Sequence, residues 1–267
     1  IGAHPGAFSL REPMLLRGFA QLKNEPRHAP AAWGSGGIEA RLTGTLQLFS
    51  RTFAARELAV VKATSVVSEL SAALLSRASK PKAIMMSVSP ESYIATILGG
   101  PNSRQEAKAL TPGRLQRLQR RIKCEAWRAE DLSEGETLAL AWACEMSALA
   151  QAAKSSGTRL LRVDFDEFLL DPSSLLTILR HFDIGATAVE AQAILEGPEM
   201  RRYSKAPEHA YDAALRGDVL NHARAMHGDE IRRGLVWLDG AAGRFDEIRD
   251  ALQFKAWQGT GTRPRSR

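Results

Sequence analysis

ELAVVKATSVVSELSAALLSRASKPKAIMMSVSPESYIATIL, residues Glu57 to Leu98, decides the fold. It reads as strand, helix, strand, helix. Val60 and Val61 belong to a short apolar run that stops at Lys62, and a second run from Ala83 to Val88 stops at Ser89 and Pro90. Short β-rich runs separated by a helical pattern indicate parallel strands joined by a crossover helix and covered on both faces. In open α/β sheets the ligand lies beyond the carboxyl ends of the strands. Lys62, Thr64, Ser65, Ser89 and Thr96 are expected at that edge.

Working outward, Ala7 to Leu10 is a brief strand candidate leading into Glu12 and Pro13, and Pro13 suits the first turn of a helix because its missing amide has no partner there. Asn24 to Gly37 reads as a long loop. Its Gly34-Ser35-Gly36-Gly37 run lacks a preceding strand and a Lys-Ser/Thr ending, so a phosphate cradle is not read there. Gly37 to Ala55 is amphipathic, with Ile38, Leu42, Leu46 and Phe49 on one face. A second loop is expected from Gly99 to Gly113, followed by a basic helix from Arg114 to Arg128. That helix reads with Leu115, Leu118, Ile122 and Cys124 inward and Arg114, Arg117, Arg120, Arg121 and Lys123 outward. A solvated face is preferred to a nucleic-acid patch, since no aromatic side chains interleave the cations.

Ser133 with Glu136 makes a capping box for a long helix to Ala153. Leu160 to Phe165 reads as a third buried strand, and Asp171-Pro172 starts the next helix. Asp164 and Asp166 are read as helix caps in preference to an acid-base or metal pair. Arg201, Arg202, Tyr203, Ser204 and Lys205 crowd cations into a loop, which leaves surface charge and phosphate contact both open. His222 and His227 have the wrong spacing for one helical face, and no metal is read.

The chain of 267 residues carries a formal net charge of +6. That charge suits an anionic ligand, a nucleic acid or an acidic surface. Hydrophobic residues make up 44% and charged residues 25%, an ordinary globular balance that fits one domain over residues 1–258. The last residues, 259–267, form a basic tail expected to be disordered. Two cysteines, Cys124 and Cys144, match no metal spacing, no secretory signal precedes them, and no run is long enough to span a bilayer. The reading is a reducing, cytoplasmic setting.

HPGAFSLREP, VVKATS, IMMSVSPESYIATIL, RVDFDEFLLDP and RRYSK, in that order over residues 4 to 216, resemble a bacterial P-loop sulfotransferase. The resemblance implies an α/β fold, a P-loop-type parallel sheet flanked by helices with a large helical complement. It also implies 3′-phosphoadenosine 5′-phosphosulfate (PAPS) as donor, no metal, and a small-molecule acceptor with a hydroxyl or amine. By resemblance Lys62 faces the 5′-phosphate and the transferring sulfonate. Its bland reading is a lysine snorkelling from a strand end. Ser89 and Thr96 stand at 3′-phosphate positions, but Val88 replaces the pattern's arginine, so either Arg201, Arg202 and Lys205 supply the charge from the later loop or donor affinity is low. Glu12 is the candidate general base, with His4 behind it.

The pattern's glycine-rich phosphate loop, near GxPxSGTT, is not among these residues. The expectation is therefore a fragment, lacking its first strand and its main 5′-phosphate anchor and inactive as it stands. The alternative is a non-catalytic relative that binds an anion or a partner. Neither the acceptor nor the oligomeric state is legible.

Overall fold

The computed structural model describes residues 1–25, 36–54, 57–203 and 206–254. Gly34, Ser35, Ser204, Lys205 and the tail of residues 259–267 lie outside the described residues. The fold is mixed α/β and mostly helical. Strand β1 (Ala7–Arg11) pairs in parallel with β2 (Leu58–Lys62), Ala7 opposite Leu58 and Arg11 opposite Lys62. Strand β3 (Ala83–Ser87) pairs in parallel with β4 (Leu160–Asp164), Ala83 opposite Leu160 and Ser87 opposite Asp164. The two pairs are not hydrogen-bonded to each other among the described residues. Instead of one continuous sheet there are two small ones.

Both pairs nevertheless share a layer. Ala7, Val60, Ile84, Leu161 and Val163 send side chains to one cluster with Leu175, Ile178 and Leu179 of α8 (Leu175–His181) and Ala191 of α9 (Ala188–Glu196). On the other face Val61 packs with Leu16 and Phe19 of α1 (Met14–Asn24), Leu42 of α2 (Gly37–Phe49), and Val66 and Val67. Met85 packs there with Leu75 and Ala152. Alternating side chains thus reach two helical layers, as the period-two pleat requires.

Val66 and Val67 belong to a 3-10 turn, Ser65–Leu70, that runs into the short α3 (Ser71–Leu75). After β3, α4 (Pro90–Leu98) starts on the Ser89 cap with Pro90 in its first turn. Helix α5 (Pro101–Ile122) corrects the expected Gly99 to Gly113 loop, since it begins at Pro101 and continues through Pro112. Proline at the helix start is favourable, and tertiary packing of Ala107, Thr111 and Leu118 offsets the bond that Pro112 cannot make.

Helix α6 (Glu134–Ala153) is buried nearly all round, every residue from Leu138 to Ala148 included, and carries the expected capping box. It is enclosed by α4, α5, α10 (Ala213–Arg244) and α11 (Asp246–Gln253). Here the basic helix is corrected as well. Arg114 and Arg117 are buried, and Arg114 Nε and Arg117 Nη2 each lie 3.0 Å from Glu145 Oε1 of α6. Arg121 pairs with Glu69 and donates to the Cys144 carbonyl at 2.8 Å. Three of the five cations read as a solvated face, Arg114, Arg117 and Arg121, are turned to carboxylates inside the fold, whereas Arg120 and Lys123 remain exposed.

Beyond β4 come α7 (Phe165–Leu170), α8 and α9. The stretch read as a loop around Arg201 is an antiparallel hairpin, β5 (Arg202–Tyr203) and β6 (Ala206–Ala210). Helix α10 follows, interrupted at His227. No helix among the described residues is long and apolar enough to cross a membrane.

Where α6 meets α10, a Cβ on Gly135 would overlap the carbonyl oxygen of Glu230. Gly135→Ala is expected to destabilise by about 2–3 kcal/mol, read as a fall in thermal midpoint. Gly217→Ala, on the same α10 with open space around it, is expected to stabilise by about 0.5–1 kcal/mol. The Glu230 carboxylate accepts the Gly135 N–H at 2.7 Å, and this bond holds its pKa below the ordinary carboxylate range. Its contribution is complete above that range and is lost as pH falls through the lower folded value. Glu230→Gln should therefore be less stable than wild type at neutral pH, with the gap closing below about pH 4 in acid denaturation.

Candidate functional site at the strand ends

The β1–β2 ladder ends in a feature that stability does not require. Glu12, one residue past the strand, donates its N–H to the Lys62 carbonyl at 2.7 Å and has a left-handed φ of 48°. A non-glycine residue held there costs about 1 kcal/mol or more, and the following Pro13 narrows the choice further. This backbone turn carries the Glu12 carboxylate back over β2, where Oε1 lies 3.0 Å from Lys62 Nζ. Both side chains are about half exposed, 54% for Lys62 and 40% for Glu12. An exposed pair contributes about 0–1 kcal/mol. Strain and pairing roughly cancel, and the result is an accessible carboxylate and ammonium held together at a carboxyl-terminal edge. Thr64, two residues on, has a buried hydroxyl with no partner among the described residues.

The structure does not bring His4 to this pair. It lies at the other end of β1, about 16 Å away for five residues of strand. It is buried, and its Nδ1 accepts the Gly6 N–H at 3.0 Å.

A second polar cluster forms at the β3–β4 edge. The Ser89 Oγ accepts the Ser92 N–H at 3.1 Å as the cap of α4. Thr96 donates to the Ser92 carbonyl at 2.6 Å, which leaves its oxygen lone pairs toward Arg216 Nη1, 3.5 Å away. Arg216 comes from the first turn of α10 and is buried. Its Nε donates to Asp166, its Nη1 lies 3.4 Å from the Tyr211 hydroxyl, and its guanidinium carbon sits 5.3 Å from the centre of the Phe165 ring. Burial opposes the charge of Arg216, but the bonds to Asp166 and Tyr211 outweigh it and raise the pKa.

Arg201 joins this cluster through its backbone, its carbonyl accepting the Tyr211 N–H at 3.0 Å, while the Arg201 and Arg202 side chains are exposed. Lys205 lies outside the described residues. Asp164 caps α7, accepting the Asp166 and Glu167 N–H groups at 2.8 and 3.0 Å. Val88 offers only its carbonyl, which accepts the Trp142 indole N–H at 3.0 Å.

Arg216 and Tyr211 are the functional candidates that sequence reasoning missed. Both follow the cations from Arg201 to Lys205; the Asp212 cap signals that α10 starts there but not that Arg216 turns to Thr96, which is a long-range contact. The cysteines are free, and burial pushes the Cys144 thiol up to about 12, which removes it as a nucleophile. Among the described residues no group of His, Cys, Asp and Glu side chains could hold a metal ion.

The left-handed backbone at Glu12 gives a direct check. Glu12→Val should lower stability by about 1–2 kcal/mol, because a β-branched residue tolerates that region worst, whereas Glu12→Gly should cost less than about 1 kcal/mol; denaturant midpoints compare them. Compared with protein-family models, curated proteins and solved structures, the chain has no significant match.

Proposed function

We propose that this protein is a sulfotransferase-like enzyme that moves a sulfuryl group from PAPS to a hydroxyl or amine of a small acceptor. The observation that carries the reading is the Lys62–Glu12 pair at the carboxyl end of parallel strands, together with the Thr96–Arg216 contact near the end of the other pair. A cation at each edge, each now held by a carboxylate that an incoming anion would have to displace, suits a donor with phosphate at both its 5′ and 3′ positions.

In this reading the donor sulfonate takes Lys62 from Glu12, freeing the carboxylate to accept the acceptor's proton. The acceptor oxygen or nitrogen bonds to sulfur as the bond from sulfur to the bridging phosphate oxygen breaks. 3′-Phosphoadenosine 5′-phosphate leaves with the electron pair. Lys62 offsets the charge that develops on the bridging oxygen, the kind of preorganised stabilisation that is worth most in such transfers. Thr96 and Arg216 would hold the 3′-phosphate, with the exposed Arg201 and Arg202 nearby. Arg216 then supplies the guanidinium that Val88 cannot.

One observation favours a second reading. Arg216 is already satisfied by Asp166, which fits a non-catalytic relative that binds an anion or partner weakly.

The full product of the gene decides between them. The enzyme reading expects 3′-phosphoadenosine 5′-phosphate to raise the thermal midpoint, sulfation of simple hydroxyl compounds from PAPS, and a loss of about 10²-fold or more in kcat for Lys62→Ala. Nucleotide binding without transfer to any acceptor would leave the second reading, and no binding at all would remove the sulfotransferase reading.

A further inference from the structure

The two strand edges are tied to the same face of α6, and we propose that this helix sets the distance between them, with Glu145, Ser68 and Trp142 as positioning residues. The ligand part of this inference rests on the reading above. Trp142 and Glu145 are three residues apart on α6, so they are neighbours on its surface. Trp142 donates its indole N–H to the carbonyl of Val88, the residue before the Ser89 cap, and so pins the β3–α4 turn. Glu145 accepts the hydroxyl of Ser68, in the 3-10 turn that begins three residues after Lys62.

That turn does not hold itself. A 3-10 run of six residues has poor internal hydrogen-bond geometry. Its position comes from Ser68 on Glu145, from Glu69 on Arg121 and Arg117, and from Val66, Val67 and Leu70 packed on Leu16 and Phe19 of α1. Since α1 begins two residues after Glu12, both members of the Lys62–Glu12 pair ride on elements clamped to α6 through Ser68. Thr96 rides on α4, whose start is clamped through Trp142.

A ligand with phosphate at both ends gains over a singly phosphorylated one only where the two edges keep the right separation. Loosening one clamp should erode that gain. Ser68→Ala removes one hydroxyl and leaves the Glu145–arginine pairs in place.

Two measurements on the full gene product test this. The first is the amide hydrogen exchange of Glu12, bonded to Lys62, and of Val67, bonded to Thr64, against Leu140 in the middle of α6. Ser68→Ala should speed exchange at Glu12 and Val67 about tenfold and leave Leu140 unchanged. The second is the ratio of affinities for 3′-phosphoadenosine 5′-phosphate and adenosine 5′-phosphate, which should fall about tenfold in Ser68→Ala and in Trp142→Phe. Unchanged exchange at Glu12 and Val67, or an equal rise at all three amides, would overturn the proposal and leave Ser68 a part of the fold alone. If exchange responds as expected but the wild-type protein does not prefer the doubly phosphorylated nucleotide, the positioning stands and the sulfotransferase reading fails.

Discussion

The structure depends on a buried carboxylate. Glu145 sits in the middle of α6 among alanine, tryptophan, cysteine and methionine side chains, where an unpaired charge is not tolerated. Arg114, Arg117 and Ser68 converge on it, and Glu69 balances Arg117 and Arg121 beside it. Such a network adds little net stability over a well-packed apolar core, because desolvation offsets most of the attraction. Removing one member is another matter, since a stranded buried charge costs about 3–5 kcal/mol. The network therefore acts as a geometric lock. It joins the helical core to the turn after β2, alongside the apolar packing of Leu110 on the Val66, Val67 and Leu70 cluster.

That lock matters because the sheet is slight. Two parallel pairs, each of five-residue strands, cannot organise the molecule by hydrogen bonding alone. The helical layers on either side do so, with α8 and α9 covering one face of both pairs and α1, the 3-10 turn and α6 the other. The carboxyl ends of the strands are left accessible. There the chain departs from what stability favours, with a left-handed glutamate before a proline and a lysine and glutamate paired in solvent. Local features that stability does not explain are where binding and chemistry are first sought.

Much of this was legible locally. β2, β3 and β4 follow from apolar runs that end in polar residues, and α6 from its Ser133–Glu136 box, because each signal lies within a few residues of what it specifies. Asp164 was read as a cap for the same reason. The arginine face of α5 was misread because its partners, Glu69 and Glu145, lie 28 to 52 residues away, and a run of cations looks the same whether water or a buried carboxylate receives it. The Gly99 to Gly113 stretch was misread because Pro112 and its glycines weigh against a helix locally, while packing on α6 decides in favour of one.

The sequence by itself determined which residues stand at the strand ends: Lys62 and Glu12 on one edge, Ser89 on the other. Strand ends are set by local polarity and by the period of the backbone. Only the tertiary structure decided which of them meet. It folds Glu12 back onto Lys62, strands His4 at the far end of β1, and brings Arg216 from α10 to Thr96, 120 residues earlier in the chain. Parallel register, a left-handed turn and the crossing of α10 over α4 are products of long-range packing, and no window of neighbouring residues encodes them.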